Sequence, residues 1–284
     1  TNNTAVGKNA VKAVTTGERN TGVGVQALGN TGTAVTNNVA VGVNALYATT
    51  GSSNTACGDA ALYANTSGAS NVAMGRNALF ENTTGDYNVA LGTYAGDSIT
   101  TGSNNTVLGY TALGANTAGS NNVAIGYQAI YTASNIGNLT AVGYKALYSN
   151  ADDGYSNTAV GYLSLTDNTT GDENTAVGRE SLTENTTGSN NTAVGKDALK
   201  VNTNGGSNTA VGRRSLDANT GGSYNVAMGN SALDANSTGS GNTAIGTQAL
   251  QVNTTNSYST AVGYKALVAN TAALNTAVGY EAME

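Results

Sequence analysis

At 174–178 the chain reads NTAVG, as it does at 157–161 and again at 208–212. The glycine closing this motif, or a close variant of it, stands at 7, 24, 42, 58, 75, 92, 109, 126, 143, 161, 178, 195, 212, 229, 246, 263 and 279. Seventeen copies thus follow one another at intervals of 17, with excursions only to 16 or 18. The unit can be written N-T-A-V-G-Y-x-A-L-x-x-N-T-T-G-S-x, and its positions are numbered here as columns 1 to 17. A fixed period of this length is the mark of a stacked-repeat architecture. No linker or second domain interrupts it, so the chain reads as one continuous array over 1–284.

Composition agrees with a thin core built by repetition. The 284 residues include 38 Gly and one Phe, with no Pro, Trp or His, and only 10% are charged. Too few large apolar side chains are present to fill a thick interior. Each unit holds an obligatory Gly and an Asn-Thr-Thr-Gly turn, which leaves too short a stretch for a stable helix. Thr or Val in column 2 and Val or Ile in column 4 favour strands. The expected fold is all-β: a parallel β-solenoid of seventeen coils with two short extended segments per coil, around T-A-V and x-A-L. At ~4.8 Å between parallel strands it would form a rod of roughly 80 Å.

Stacking turns each column into a ladder. Column 4 (Val160, Val177, Val194, Val211) and column 9 (Leu165, Leu182, Leu199, Leu216) are the apolar ladders and are expected to face inward. Gly161, Gly178, Gly195 and Gly212 in column 5 are expected to take a positive φ or allow close backbone packing. Column 1 Asn either forms an amide ladder or caps a turn. Strand neighbours point to opposite faces, so Ala159, Ala176, Ala193 and Ala210 of column 3 are expected to point outward, as is column 8. An outward column that stays small in nearly every copy implies close packing against another copy of the chain.

NVAIG at 122–126, NVAMG at 225–229 and NTAIG at 242–246, each followed after two residues by Ala and an aliphatic residue, resemble the head repeats of YadA-like trimeric autotransporter adhesins. Similar repeats occur in phage tail fibres and other surface fibres. The resemblance covers essentially the whole chain and implies a left-handed parallel β-roll with three chains packed about an axis. The family's head repeats are shorter than these, and nothing here matches its neck, stalk or membrane anchor.

Several side chains are candidates for binding. Tyr110, Tyr127, Tyr144 and Tyr162 succeed one another in column 6, and Tyr264 and Tyr280 repeat the pattern. They could stack on sugar rings, although packing between coils is the favoured reading. Arg179, Lys196 and Arg213 continue the same column, with Glu180 and Asp197 placed to offset two of them, so a solvated charged face is favoured over an anion site. The acidic pairs Asp152 with Asp153 and Asp172 with Glu173 lie in variable loops without a repeated ligand pattern. Cys57, standing in column 4, is expected to be an inert buried residue. The sequons at Asn82, Asn168, Asn185 and Asn253 are candidate glycan acceptors.

The net charge of -6 and eleven scattered Lys and Arg argue against nucleic acid as a partner. One cysteine and no histidine exclude the usual zinc and triad chemistry. No cofactor or metal is expected, nor insertion of this segment into a membrane, because no apolar run approaches ~20 residues. The chain begins at Thr1 rather than Met, so any targeting segment is expected to have been removed or to lie outside it. Both ends run straight into the repeat, as in a segment of a longer array or of an end-joined filament. The expected function is that of an extracellular, cell-surface or virion structural rod, a non-enzymatic adhesin head or stalk segment that self-associates as a homotrimer or filament and meets host surfaces or glycans. The alternative is a scaffold or tail-fibre shaft without binding activity of its own. An ice-binding solenoid would want a more uniform Thr array than column 2 offers.

Overall fold

The structure, a computed structural model, describes residues 2–150 and 154–283. The chain is a parallel β-solenoid whose coils fall into two compact units, Thr1–Leu139 and Thr140–Glu284. The first carries eight three-residue strands, from β1 (Thr4–Val6) to β8 (Val123–Ile125). The second carries nine, from β9 (Thr140–Val142) through β10 (Thr158–Val160), β11 (Thr175–Val177), β12 (Thr192–Val194) and β13 (Thr209–Val211) to β17 (Thr276–Val278). Within each unit every strand pairs in parallel with its sequence neighbour, column upon column: Thr175 with Thr192, Ala176 with Ala193, Val177 with Val194. No helix occurs among the described residues.

Among the described residues each coil holds one extended segment. The x-A-L stretch, expected to be a second strand, is a turn in which columns 7 and 9 take positive φ: +58° at Asp197 and +50° at Leu199, +55° at Arg214 and +53° at Leu216. A left-handed conformation costs an L-residue roughly 1–2 kcal/mol. Burying a leucine returns about 1.5–3 kcal/mol, and Leu199 is fully buried with its N–H bonded to the Ser215 carbonyl at 3.0 Å. Burial therefore outweighs the backbone strain. The left-handed residues also break the two-residue alternation of a strand. Columns 8 and 9, Ala198 and Leu199, thus point to the same side, and both are buried.

The strand faces are the reverse of the sequence expectation. Ala159, Ala176, Ala193 and Ala210, expected on an outer contact face, are all at 0% exposure inside the coil. Val160, Val177 and Val211, expected inside, are half-buried, and Val194 is 37% exposed. Alternation itself holds, since columns 1 and 3 point in while columns 2 and 4 point out. The larger side chain of the pair is the one turned outward. Opposite the strand the interior is already filled by Leu165, Leu182, Leu199 and Leu216, all fully buried, which leaves room for only a methyl. Column 8 obeys the same limit. Where it is Ser, the hydroxyl donates back to the column 5 carbonyl, as Ser215 does to Gly212 at 2.9 Å.

Column 5 needs glycine for two separate reasons. Gly195 lies at φ +134°, outside the range of residues with a Cβ, and a Cβ there would sit 2.6 Å from the Gly212 carbonyl oxygen. Coils stack backbone on backbone at this corner.

Candidate functional site

Much of the interior is polar. Column 1 Asn side chains are buried, except at the half-buried Asn3 and Asn275, and do both things weighed for them. Asn174 accepts the Asn191 N–H on Oδ1 at 3.0 Å, and its Nδ2 donates to the Gly188 carbonyl at 2.9 Å. Some also bond amide to amide, as Asn208 does to Asn191 at 3.1 Å. Column 12, unassigned from sequence, forms a second and stricter ladder. In the second unit Asn202 Nδ2 donates to Asn185 Oδ1 at 2.7 Å, and Asn219 Nδ2 to Asn202 Oδ1 at 2.8 Å. The second amide hydrogen of Asn202 goes to Gly205 O, 2.9 Å away, which also accepts from Asn191 at 2.9 Å. That carbonyl ties the two ladders together. The signal was legible: from Asn150 to Asn270 column 12 is Asn in every coil, a constancy that an exposed turn residue would not need.

The ladder breaks where the core composition changes. In the first unit column 12 becomes Ile99 and Ala133, and the buried Oδ1 atoms of Asn82 and Asn116, one coil before each, have no hydrogen-bond partner. Ile99 has a reason for its presence. Gly96 replaces the column 9 leucine in the same coil, and a Cβ on Gly96 would meet Ile99 Cδ1 at 2.9 Å, so the isoleucine fills the space the leucine vacated. Two compensating departures imply strong coupling. Ile99→Asn alone is expected to destabilise by about 2 kcal/mol through the cavity it opens. Gly96→Leu alone is expected to overpack. The double variant regains the amide bond to Asn82 and is expected to exceed the parent by about 1 kcal/mol. Denaturant titration of the four proteins checks the cycle.

The outer surface has three kinds of ladder. On the strand face, columns 2 and 4 present Thr or Val and an apolar residue in each coil, and neither column holds a charge in any copy. Met74, Leu108, Met228 and Ile245 of column 4 are all exposed. Cys57 stands in the same row and is exposed, contrary to its expected burial.

The tyrosines form a second ladder, stacked ring on ring along the coil direction. Tyr110 and Tyr127 have centroids 5.6 Å apart at 12°, and in the second unit Tyr144 and Tyr162 lie 5.3 Å apart at 12°. Tyr264 and Tyr280 repeat this at 5.3 Å, and in column 10 Tyr47, Tyr63 and Phe80 stack at the same spacing. Each ring thus spends a face on its neighbour, while the Arg179 guanidinium, 5.8 Å from the Tyr162 centroid, lies against that ring as well. Stacking takes up ring faces along each run, which leaves fewer of them for stacking on sugars.

Charges form the third surface. Arg179 pairs with Glu180 at 2.7 Å, Glu180 also with Lys200 at 2.7 Å, and Lys196 with Asp197 at 3.0 Å. Hydrogen bonds from Lys200 and then Arg179 hold the Glu180 carboxyl down at about 2. Arg214 joins Asp217 and Asp234, whose carboxyl burial pushes up. Pairing of this kind leaves the strip without a concentrated positive field for an anion.

Asp172 is structural, accepting the Tyr155 N–H at 2.7 Å, and Glu173 is exposed beside it. Asp152 and Asp153 lie outside the described residues. No group of three potential metal ligands occurs among the described residues, and no helix is long and apolar enough to cross a membrane. The sequon asparagines Asn82, Asn168, Asn185 and Asn253 are buried column 12 amides, so the folded chain does not offer them as glycan acceptors. Comparison with protein-family models and with curated proteins finds no match.

Proposed function

We propose that this chain is a self-assembling structural element of an extracellular fibre, in which copies pack strand face to strand face, three about an axis. The carrying observation is the exposed, charge-free row of columns 2 and 4, repeated on the coils of each unit. A charge-free face that repeats an apolar side chain in every coil marks an interaction site. The same row on another copy is its natural complement, because its period and side chains are identical. The contact surface is therefore Thr and Val of columns 2 and 4, in place of the alanines assigned from sequence. Paired charges and self-stacked tyrosines favour a shaft or presenting scaffold over a sugar-binding ladder. No catalytic role is part of this reading, because a repeated ladder brings no unlike groups to one point.

A double substitution, Val177→Lys with Val211→Lys, places a charge on two coils of the face. The expected result is a trimer for the parent and a monomer for the variant by light scattering, with unchanged circular dichroism. A monomeric parent would overturn the assembly. Glycan-array binding by the parent would turn the reading from shaft to adhesin.

A further inference from the structure

The sequence holds ten Asn-x-Ser/Thr sequons, and the fold divides them into two groups. Six stand in column 12, at Asn65, Asn82, Asn168, Asn185, Asn236 and Asn253, and all are at 0% exposure. Their Nδ2 atoms are committed: Asn185 donates to Asn168 Oδ1 at 2.8 Å and to Gly188 O at 2.9 Å. The other four stand in column 17, at Asn2, Asn104, Asn138 and Asn190, and all are exposed. This column is an outer corner, where Tyr87, Tyr224 and Tyr258 are the most open aromatic residues of their surroundings at 63%, 72% and 67% exposure.

The local geometry suits an acceptor. Asn104, Asn138 and Asn190 take φ of +60°, +62° and +61°, a conformation Asn tolerates, and each turns its side chain out ahead of the strand. In the sequons of Asn104 and Asn190 the middle residue (Asn105, Asn191) is buried, while the hydroxyl residue on the strand face is exposed at Thr106 and half-buried at Thr192. Acceptor amide and recognition hydroxyl therefore project from the same side, two residues apart.

We propose that the column 17 asparagines are N-glycan acceptors of the folded chain and that the six column 12 sequons stay bare. In the transfer, Asn Nδ2 attacks C1 of a sugar activated as a nucleoside diphosphate. The N–C1 bond forms, the bond from C1 to the phosphate oxygen breaks with the nucleotide leaving, and the amide gives up one proton. Since the recognition threonine lies on the proposed contact face, transfer precedes assembly.

The test uses a soluble N-glycosyltransferase with UDP-hexose, acting on the parent chain, on the Val177→Lys/Val211→Lys variant and on a proteolytic digest of the chain, each mapped by mass spectrometry. The digest is expected to accept hexose at sequons of both columns. The folded variant is expected to accept it at column 17 alone, and Asn190→Gln is expected to remove one hexose without moving the melting temperature. Acceptance by the variant with refusal by the parent would support both the sites and their place on the contact face. Hexose on Asn168 or Asn185 in the folded chain would overturn the proposal, as would bare Asn104, Asn138 and Asn190 in the variant when the digest accepts at those residues.

Discussion

Gly195→Ala is expected to pry two coils apart and lower stability by about 4 kcal/mol, near the upper end of what single substitutions do. Two costs combine at this position. The backbone sits at φ +134°, where a side chain is strained by about 1–3 kcal/mol, and the new methyl would lie 2.6 Å from the Gly212 carbonyl oxygen. Relief by moving the backbone breaks the Gly212 N–H bond to the Val194 carbonyl, 2.8 Å long, and its neighbours in the stack. Gly206→Ser is the control, because column 16 is commonly Ser and its hydroxyl accepts the N–H of the preceding coil, as Ser223 does from Gly206 at 3.1 Å. The control is expected to leave the urea midpoint unchanged or slightly raised. Equal midpoints for the two variants would show that the corner tolerates a Cβ.

Asn202→Leu is the second large effect, expected at about 4 kcal/mol. Three buried groups lose a partner at once: Asn185 Oδ1 and Gly205 O each lose a donor, and Asn219 Nδ2 loses its acceptor. An orphaned buried polar group costs about 1–3 kcal/mol, which the added apolar area of leucine only partly offsets. Asn202→Asp is expected to be worse still, since a carboxylate would face the Asn185 oxygen without a proton between them. Asn204→Ala, two residues along at an exposed position, is the reference and is expected to be silent. Native-state hydrogen exchange should report the Asn202→Leu damage first in the coils on either side.

The period, the parallel stacking and the glycine corner were all legible, because each leaves a residue that no copy exchanges. Leu165, Leu182, Leu199 and Leu216 were legible as core for the same reason, and the structure buries all four. The facing of Ala176 and Val177 was not. Size suggested that valine belongs inside, yet the width of the coil decides the matter, and width depends on how leucine enters from the opposite wall. That entry uses a left-handed backbone at Leu182, φ +50°, which nothing in leucine's own preferences announces. The uniformity of the alanines did imply tight packing. Its source is the chain's own opposite wall rather than a second molecule.

The surface readings divided along similar lines. Stacked tyrosines follow from column position alone, because neighbours in a column must touch, and the Arg179–Glu180 pair follows from adjacency in the sequence. Burial of Cys57 failed with the inward assignment of column 4, and access to the column 12 sequons depended on a side of the coil that their turn residues do not announce. Column identity was thus readable from one sequence, whereas column orientation needed coordinates.

The column 12 amides from Asn168 to Asn270 all bond the same way round, nitrogen toward the preceding coil and oxygen toward the next. Their dipoles therefore add along the stack instead of cancelling, and each bond polarises the one after it. Such a row works like a one-way thread. A coil can join it only head to tail, because a reversed coil would set oxygen against oxygen.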